Sequence, residues 1–293
     1  MVHIDYICHS CFLITTSDTT LLFDPWTHGP CYKGQWHLYP KPVGLAKALH
    51  AEHILLTHGH EDHMHRSSLE LQDKSATVWF PYQWRAGIEG YMHHIGFSKV
   101  EEAVTLRKHQ LGPNTAITFL AYSLESIVII EADGQVIVNI NDAHNSNHEN
   151  VVMMFLDVLK KHWPRIDLLI TGFSGASYFP NQVRYPGKND REVGQVREHY
   201  FAHNLCRYVD FLKPELVLPF APGFRFVGGS QPLDQRGEIR SPSVAFIPRR
   251  TLRCARRYAL HPLVAGRPHG GHGLSSRFAL PCTTEGWWSL PFA

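Results

Sequence analysis

The 293-residue sequence predicts one large α/β domain in which two β-sheets carry helices on their outer faces. Three observations point there. The first half reads as strand after strand, and the second half alternates helical and strand-like segments. Asp133-Gly134, between two β-branched runs, marks a tight hairpin that joins neighbouring strands of one sheet. The 44% content of hydrophobic residues and 18% of charged ones are ordinary for a chain that buries a full core.

VHIDYICHSCFLIT and TTLLFDPW are apolar strand runs separated by the turn signal Ser17-Asp18. A Gly/Pro-rich loop (THGPCYKGQWHLYPKPVG) follows, then a short helical stretch at LAKALHA. HILLTH reads as a buried strand, ATVWF as another, and a helix is expected from about Tyr82. TAITFLAY, ESIVIIEAD and GQVIVNIND predict three further strands. The amphipathic VVMMFLDVLKKH leads into strand RIDLLITGF, and a long helix (REVGQVREHYFAHNLCRYVDFL) precedes strand ELVLPF.

Beyond residue 222 the character changes. Residues 239–293 hold eight arginines against one acidic residue, Glu285, a net +7 that leaves −5 for residues 1–238. No lysine follows Lys213 and no aspartate follows Asp234, while Arg, Pro, Gly and His accumulate without periodicity. We therefore divide the chain into a 1–222 domain and an atypical 223–293 segment foreign to the fold. The positive charge belongs to that segment, so nothing suggests a nucleic-acid surface on the main domain. Six scattered cysteines, Cys8-x-x-Cys11 included, read as reduced thiols. No apolar run has membrane-span length and no signal core opens the chain, so a cytoplasmic location is expected.

The chemistry lies in THGHEDHMH, residues 57–65. His58-x-His60-x-Asp62-His63 supplies imidazoles and a carboxylate, good ligands for zinc or iron. The run HILLT delivers the loop from a rigid strand, and Gly59 lets the backbone turn tightly. His58 and His60 suit one ion, and Asp62 and His63 a second; two ions about 3.5–4 Å apart can share one hydroxide. Glu61 is set aside as a ligand, and His65 reads as a helix-surface residue. Asp142, ending the strand VIVNIND, is the candidate bridging carboxylate, with His144 as a possible further ligand. Asp24 is a candidate for orienting a ligand imidazole, while His28 and Trp36-His37 read as loop packing. In SGASYFPNQVRYPGK, Tyr178, Arg184, Tyr185 and Lys188 suit an anionic small molecule.

This combination resembles the metallo-β-lactamase superfamily and its αββα sandwich, in particular the branch of CMP-N-acetylneuraminate hydroxylase. The resemblance is carried by His9-Ser10, Phe23-Asp24-Pro25-Trp26, Gly29-Pro30, the histidine cluster, Asn141-Asp142, Ser174-Gly175-Ala176-Ser177 and Pro219-Phe220-Ala221, over residues 1–222. Two departures stand out against it. Many members carry a further metal histidine between the cluster and the bridging Asp, where this chain reads FLAYSLES. Relatives also carry one shortly after the strand matching LVLPFA, whereas here the next histidine is His261. On that reading the site is short of ligands.

The expected activity is that of a metal-dependent hydrolase acting on an ester, lactone or phosphodiester of a small anionic substrate. Asp62 is its catalytic residue, and a metal-bound hydroxide is the nucleophile. Its cofactors are two divalent ions, zinc first and iron as the alternative. A second reading is an iron oxygenase of the hydroxylase kind. The sequence has no C-x-H or C-x-x-H pair for a Rieske centre, so its electrons would come from an external redox partner. A third is an inactive remnant whose last ligand was lost with the native C-terminus.

Overall fold

The computed structural model describes residues 1–39, 41–82, 86–122, 124–143, 149–172, 186–187, 189–220, 224–226 and 247–248. In chain order the first half contains β1 (His3–Cys8), β2 (Cys11–Thr15), β3 (Thr20–Phe23), β4 (Trp36–Leu38), α1 (Leu45–Ala48) and β5 (His53–Leu55). These are followed by α2 (Arg66–Glu70), β6 (Thr77–Pro81), α3 (Ile88–Ile95), β7 (Lys99–Ala103), β8 (Lys108–Gly112) and β9 (Thr115–Tyr122). The remainder is β10 (Glu125–Ala132), β11 (Gln135–Asn141), α4 (Glu149–His162), β12 (Leu168–Gly172), α5 (Asp190–Leu212), β13 (Leu216–Phe220), β14 (Phe224–Phe226) and β15 (Ile247–Pro248).

One sheet runs β1-β2-β3-β5-β6-β7 and the other β15-β13-β12-β11-β10-β9-β8; β14 pairs with β4 in a separate ribbon. The sheets meet through one apolar layer that includes Phe12, Phe23, Phe119, Ile130, Ile170 and Phe220. Phe12 and Phe23 stack across the β2–β3 pair with ring centroids 4.5 Å apart. Each such buried side chain contributes about 1.5–3 kcal/mol. On the far face of the second sheet, α4 lays down Val152, Leu156 and Leu159, and α5 adds Leu205, Tyr208, Val209 and Leu212. Those are i, i+3, i+4, i+7 spacings, one stripe per helix. On the first sheet, Leu69 of α2 and Met92 of α3 cover Ile54 and Val78. The result is the αββα sandwich.

Strand direction places the site. β3, β5, β6 and β7 are parallel, as are β11, β12 and β13. The residues after β3, β5 and β11 therefore leave the sheets at carboxyl ends, where α/β proteins open their crevices. β10 is antiparallel to β11, so its first residue lies at the same end, and the β1–β2 turn lies there too.

Several elements differ from expectation. The first apolar run is two strands, because Cys8 pairs with Cys11 and His9 takes a left-handed φ of 44° that closes a two-residue turn. The helix expected from about Tyr82 begins at Ile88. β7 and β8 were not anticipated: KVEEA and KHQLG are polar, which suits the edge strands they form.

Candidate metal centre

His58, His60, Asp62 and His63 leave β5 on one tight loop, in which His63 N–H and Met64 N–H both donate to the His60 carbonyl. His58, Asp62 and His63 are buried, while His60 reaches the surface. Each imidazole is aimed by a specific contact. Nδ1 of His58 lies 3.0 Å from Thr57 Oγ1, and that hydroxyl donates to Asp24 Oδ2 at 2.8 Å. His58 Nε2 is thereby turned toward His60 Nδ1, 2.8 Å away. Nδ1 of His63 sits 3.1 Å from Asp24 Oδ2, which leaves Nε2 facing Asp62 Oδ2 and Asp142 Oδ2, each at 3.5 Å.

Asp24 organises this layer from beneath. Fully buried, it accepts from the Thr57 backbone N–H at 2.8 Å, from the Thr57 hydroxyl and from Asn141 Nδ2. Asp24 and Asn141 both hold left-handed backbones, φ 40° and 52°, as His9 does. Asp and Asn tolerate that region better than most residues, and such strain clusters where a site over-determines the chain.

Three overlapping groups of donors emerge, each with its ligand atoms within 4.8 Å of one another: His58, His60 and Glu125; His58, His63 and Asp142; and His9, Asp62 and His63. Asp142 thus sits with one histidine from each half of the loop. Glu125, at the head of β10, was missed by sequence reasoning. It stands in the FLAYSLES segment where the superfamily's histidine had been sought, and places a candidate carboxylate donor there in its stead. A buried acid opening the apolar run ESIVIIEAD was its only sequence signal.

Asp62 is held from two sides. Tyr32 donates its hydroxyl to Oδ1 at 2.5 Å, and His9 Nε2 lies 3.0 Å from Oδ2. Glu61, exposed, accepts the Tyr32 backbone N–H at 2.8 Å and so pins the 27–39 loop to the cluster. Burial, with the neighbouring Asp62 charge, pushes the Tyr32 phenol far above its ordinary pKa, so it stays a hydrogen-bond donor. His65 does not lie on a helix surface. It caps the start of α2, is 3% exposed, and places its ring between Ser68 Oγ (3.0 Å) and the Pro30 carbonyl (3.2 Å). A side chain at that position turns back over the preceding loop instead of outward along the helix. His144, Tyr178, Arg184, Tyr185 and Lys188 lie outside the described residues, as does most of the 223–293 segment.

The donors fit divalent cations. His63 Nε2 is buried with no hydrogen-bond partner among the described residues, in a spot flanked by two carboxylate oxygens. An imidazole whose other nitrogen is held by a carboxylate is the usual preparation for metal ligation.

Comparison with known proteins agrees. A family profile described as a beta-lactamase superfamily domain matches residues 3–159. The chain belongs to the metallo-β-lactamase superfamily. Cytidine monophosphate-N-acetylneuraminic acid hydroxylase of Pan troglodytes is 34% identical to this superfamily member over 241 residues, 76% of this chain and 38% of that one. The chain spans less than half the length of the curated relatives it matches. Among solved structures, CmlA, a diiron β-hydroxylase from Streptomyces venezuelae, shares the fold: TM-score 0.54, 21% identity, 75% of this chain and 44% of that one. So does an isothiocyanate hydrolase from Delia radicum gut bacteria, with TM-score 0.51, 12% identity, and 75% and 84% of the two chains. The superfamily fold thus houses both hydroxylases and hydrolases. No helix among the described residues is long and apolar enough to cross a membrane.

Proposed function

We propose that this domain is an iron-dependent oxygenase that hydroxylates a small molecule using electrons from a redox partner. The observation that carries the reading is Glu125. With His58 and His60 it forms a two-histidine, one-carboxylate donor set, a combination suited to non-haem iron with open positions. Asp62 and Asp142 raise the count to three carboxylates beside three loop imidazoles, a harder, more oxygen-rich environment than an all-histidine zinc site. The 34% identity to a hydroxylase supports the same direction.

His58, His60 and Glu125 would hold one ion and Asp62 and His63 the other, with Asp142 reaching both. Iron supplies redox chemistry that zinc lacks: with O2, two electrons and two protons, a substrate C–H becomes C–OH and one water leaves. The chain's own part is positioning. Thr57 and Asp24 turn His58 Nε2 and His63 Nε2 into the site. Tyr32 keeps its proton toward Asp62 Oδ1, steadying a carboxylate that would otherwise rotate. On sequence grounds Arg184 and Lys188 suit an anionic group on the substrate.

Hydrolysis is the second reading, because two histidines and a glutamate also make a catalytic zinc site. One experiment separates them. Anaerobically purified protein is expected to contain iron, and the iron-loaded form to consume O2 when given a chemical reductant, beyond the reductant's own rate. Recovery of zinc alone, no O2 use after iron loading, and zinc-dependent cleavage of a lactone or phosphodiester would establish the hydrolase instead.

A further inference from the structure

We propose that His9 supplies an imidazole ligand to the second metal position, beside Asp62 and His63. The inference deepens the dinuclear reading above and rests on it. The family resemblance implies a histidine ligand shortly after β13, and no histidine closely follows that strand here. The structure offers a replacement from the opposite end of the chain.

His9 Nε2, Asp62 Oδ2 and His63 Nε2 converge on one buried point. The first pair is 3.0 Å apart and the second 3.5 Å. Donors each about 2.1 Å from a common ion lie roughly 3.0–3.4 Å apart in octahedral and tetrahedral arrangements; the first distance falls in that range and the second lies just beyond it. The His9 and His63 rings stand 6.0 Å apart at 65°, edge toward face. Asp62 does not need His9 as its hydrogen-bond donor on the outward side, since Tyr32 already holds Oδ1. His9 instead meets Oδ2, the oxygen that also faces His63.

The backbone argues the same way. His9 occupies a left-handed turn position, φ 44°, where glycine or asparagine would be at ease, and Tyr6 fixes it by donating its hydroxyl to the His9 carbonyl at 2.9 Å. The ring is 3% exposed, and His9 Nδ1 has no hydrogen-bond partner among the described residues. With no acceptor at Nδ1 among the described residues, Nε2–H donates to Asp62 Oδ2 in the metal-free site, and a cation bound there would take the place of that proton, leaving the ring proton on Nδ1.

Cobalt(II) tests this without turnover. Proton NMR of the cobalt-loaded protein reads each ligating imidazole as one strongly shifted, solvent-exchangeable N–H. Four such signals are expected, from His9, His58, His60 and His63, with two cobalt ions per chain. His9→Gln, whose amide can still donate to Asp62, is expected to show three signals and to bind the second cobalt about tenfold or more weakly. Three signals in the unaltered protein, with both ions bound, would show His9 to be a hydrogen-bond donor only and overturn the proposal while leaving the dinuclear reading intact. If the unaltered protein takes up no cobalt, both fall. Should His9→Gln fail to fold, the signal count of the unaltered protein still decides.

Discussion

Asp24 Oδ2 and His63 Nδ1 lie 3.1 Å apart in a fully buried setting, and this contact determines which nitrogen His63 presents to the site. The same carboxylate takes the Thr57 and Asn141 donors. Asp24→Ala would strand several buried donors at about 1–3 kcal/mol each, so the metal-free protein is expected to lose about 3 kcal/mol or more of unfolding free energy. Asp24→Asn is milder in packing, yet is expected to weaken metal binding by about 10- to 100-fold in a chelator competition. Unchanged affinity in that variant would remove Asp24 from the preparation of His63.

Glu125→Gln removes the carboxylate beside His58 and His60 while keeping its shape. After gel filtration, metal analysis is expected to find one ion fewer per chain than in the unaltered protein. Glu125→His, which offers an imidazole donor in place of the carboxylate, is expected to recover the ion. Full occupancy in Glu125→Gln would mean that Glu125 is not a ligand.

Tyr32→Phe deletes the hydroxyl that reaches Asp62. A hydrogen bond to a charged group is worth about 1.5–3 kcal/mol, and this one ties the 27–39 loop to the cluster. Backbone amides of that loop are expected to exchange with solvent faster in the variant, with β10 and β11 unaltered. Equal exchange across the loop would assign its anchoring to Glu61 alone.

At the opposite end of the sandwich, Asp18 accepts from the Asn114 N–H at 2.5 Å and from the Thr115 hydroxyl, joining the β2–β3 turn to the β8–β9 turn of the other sheet. The Thr115 hydroxyl first, then the Asn114 amide, hold its carboxyl below the usual range. A carboxylate with a depressed folded-state pKa stabilises the fold above its unfolded value, and that contribution fades as pH falls through the folded one. Asp18→Asn is therefore expected to melt lower than the unaltered protein at pH 6, with the two curves converging toward pH 3. Gly112→Ala is a second probe. A methyl there would sit 2.6 Å from Asp18 Oδ2, and that oxygen cannot withdraw without giving up the Asn114 bond, so a lower melting temperature is expected at pH 6.

How much of this was legible beforehand varies residue by residue. The strands HILLT and VIVNI announced themselves through apolar runs, and His58, His60, Asp62 and His63 through local spacing, because four ligand-type residues within six positions need no distant partner to be recognised. β7 and β8 were silent since their pattern is that of exposed edges. Glu125 and Tyr32 were silent for another reason: a lone acid heading an apolar run and a tyrosine in a Gly/Pro-rich loop look ordinary until a second sheet sets them against the cluster.

The sequence alone determined the superfamily, the αββα order of elements and the loop that carries most of the donors. Only the tertiary structure decided how the donor set is completed. Glu125 lies more than sixty residues from the loop and His9 about fifty in the other direction; the antiparallel course of β10 against β11 and the β1–β2 turn bring them to one end of the sandwich. Spacing along a chain encodes neighbours within a turn or a strand. Which distant strand ends meet is settled by how two sheets bury their shared apolar face, and the ligands at those ends follow from that packing.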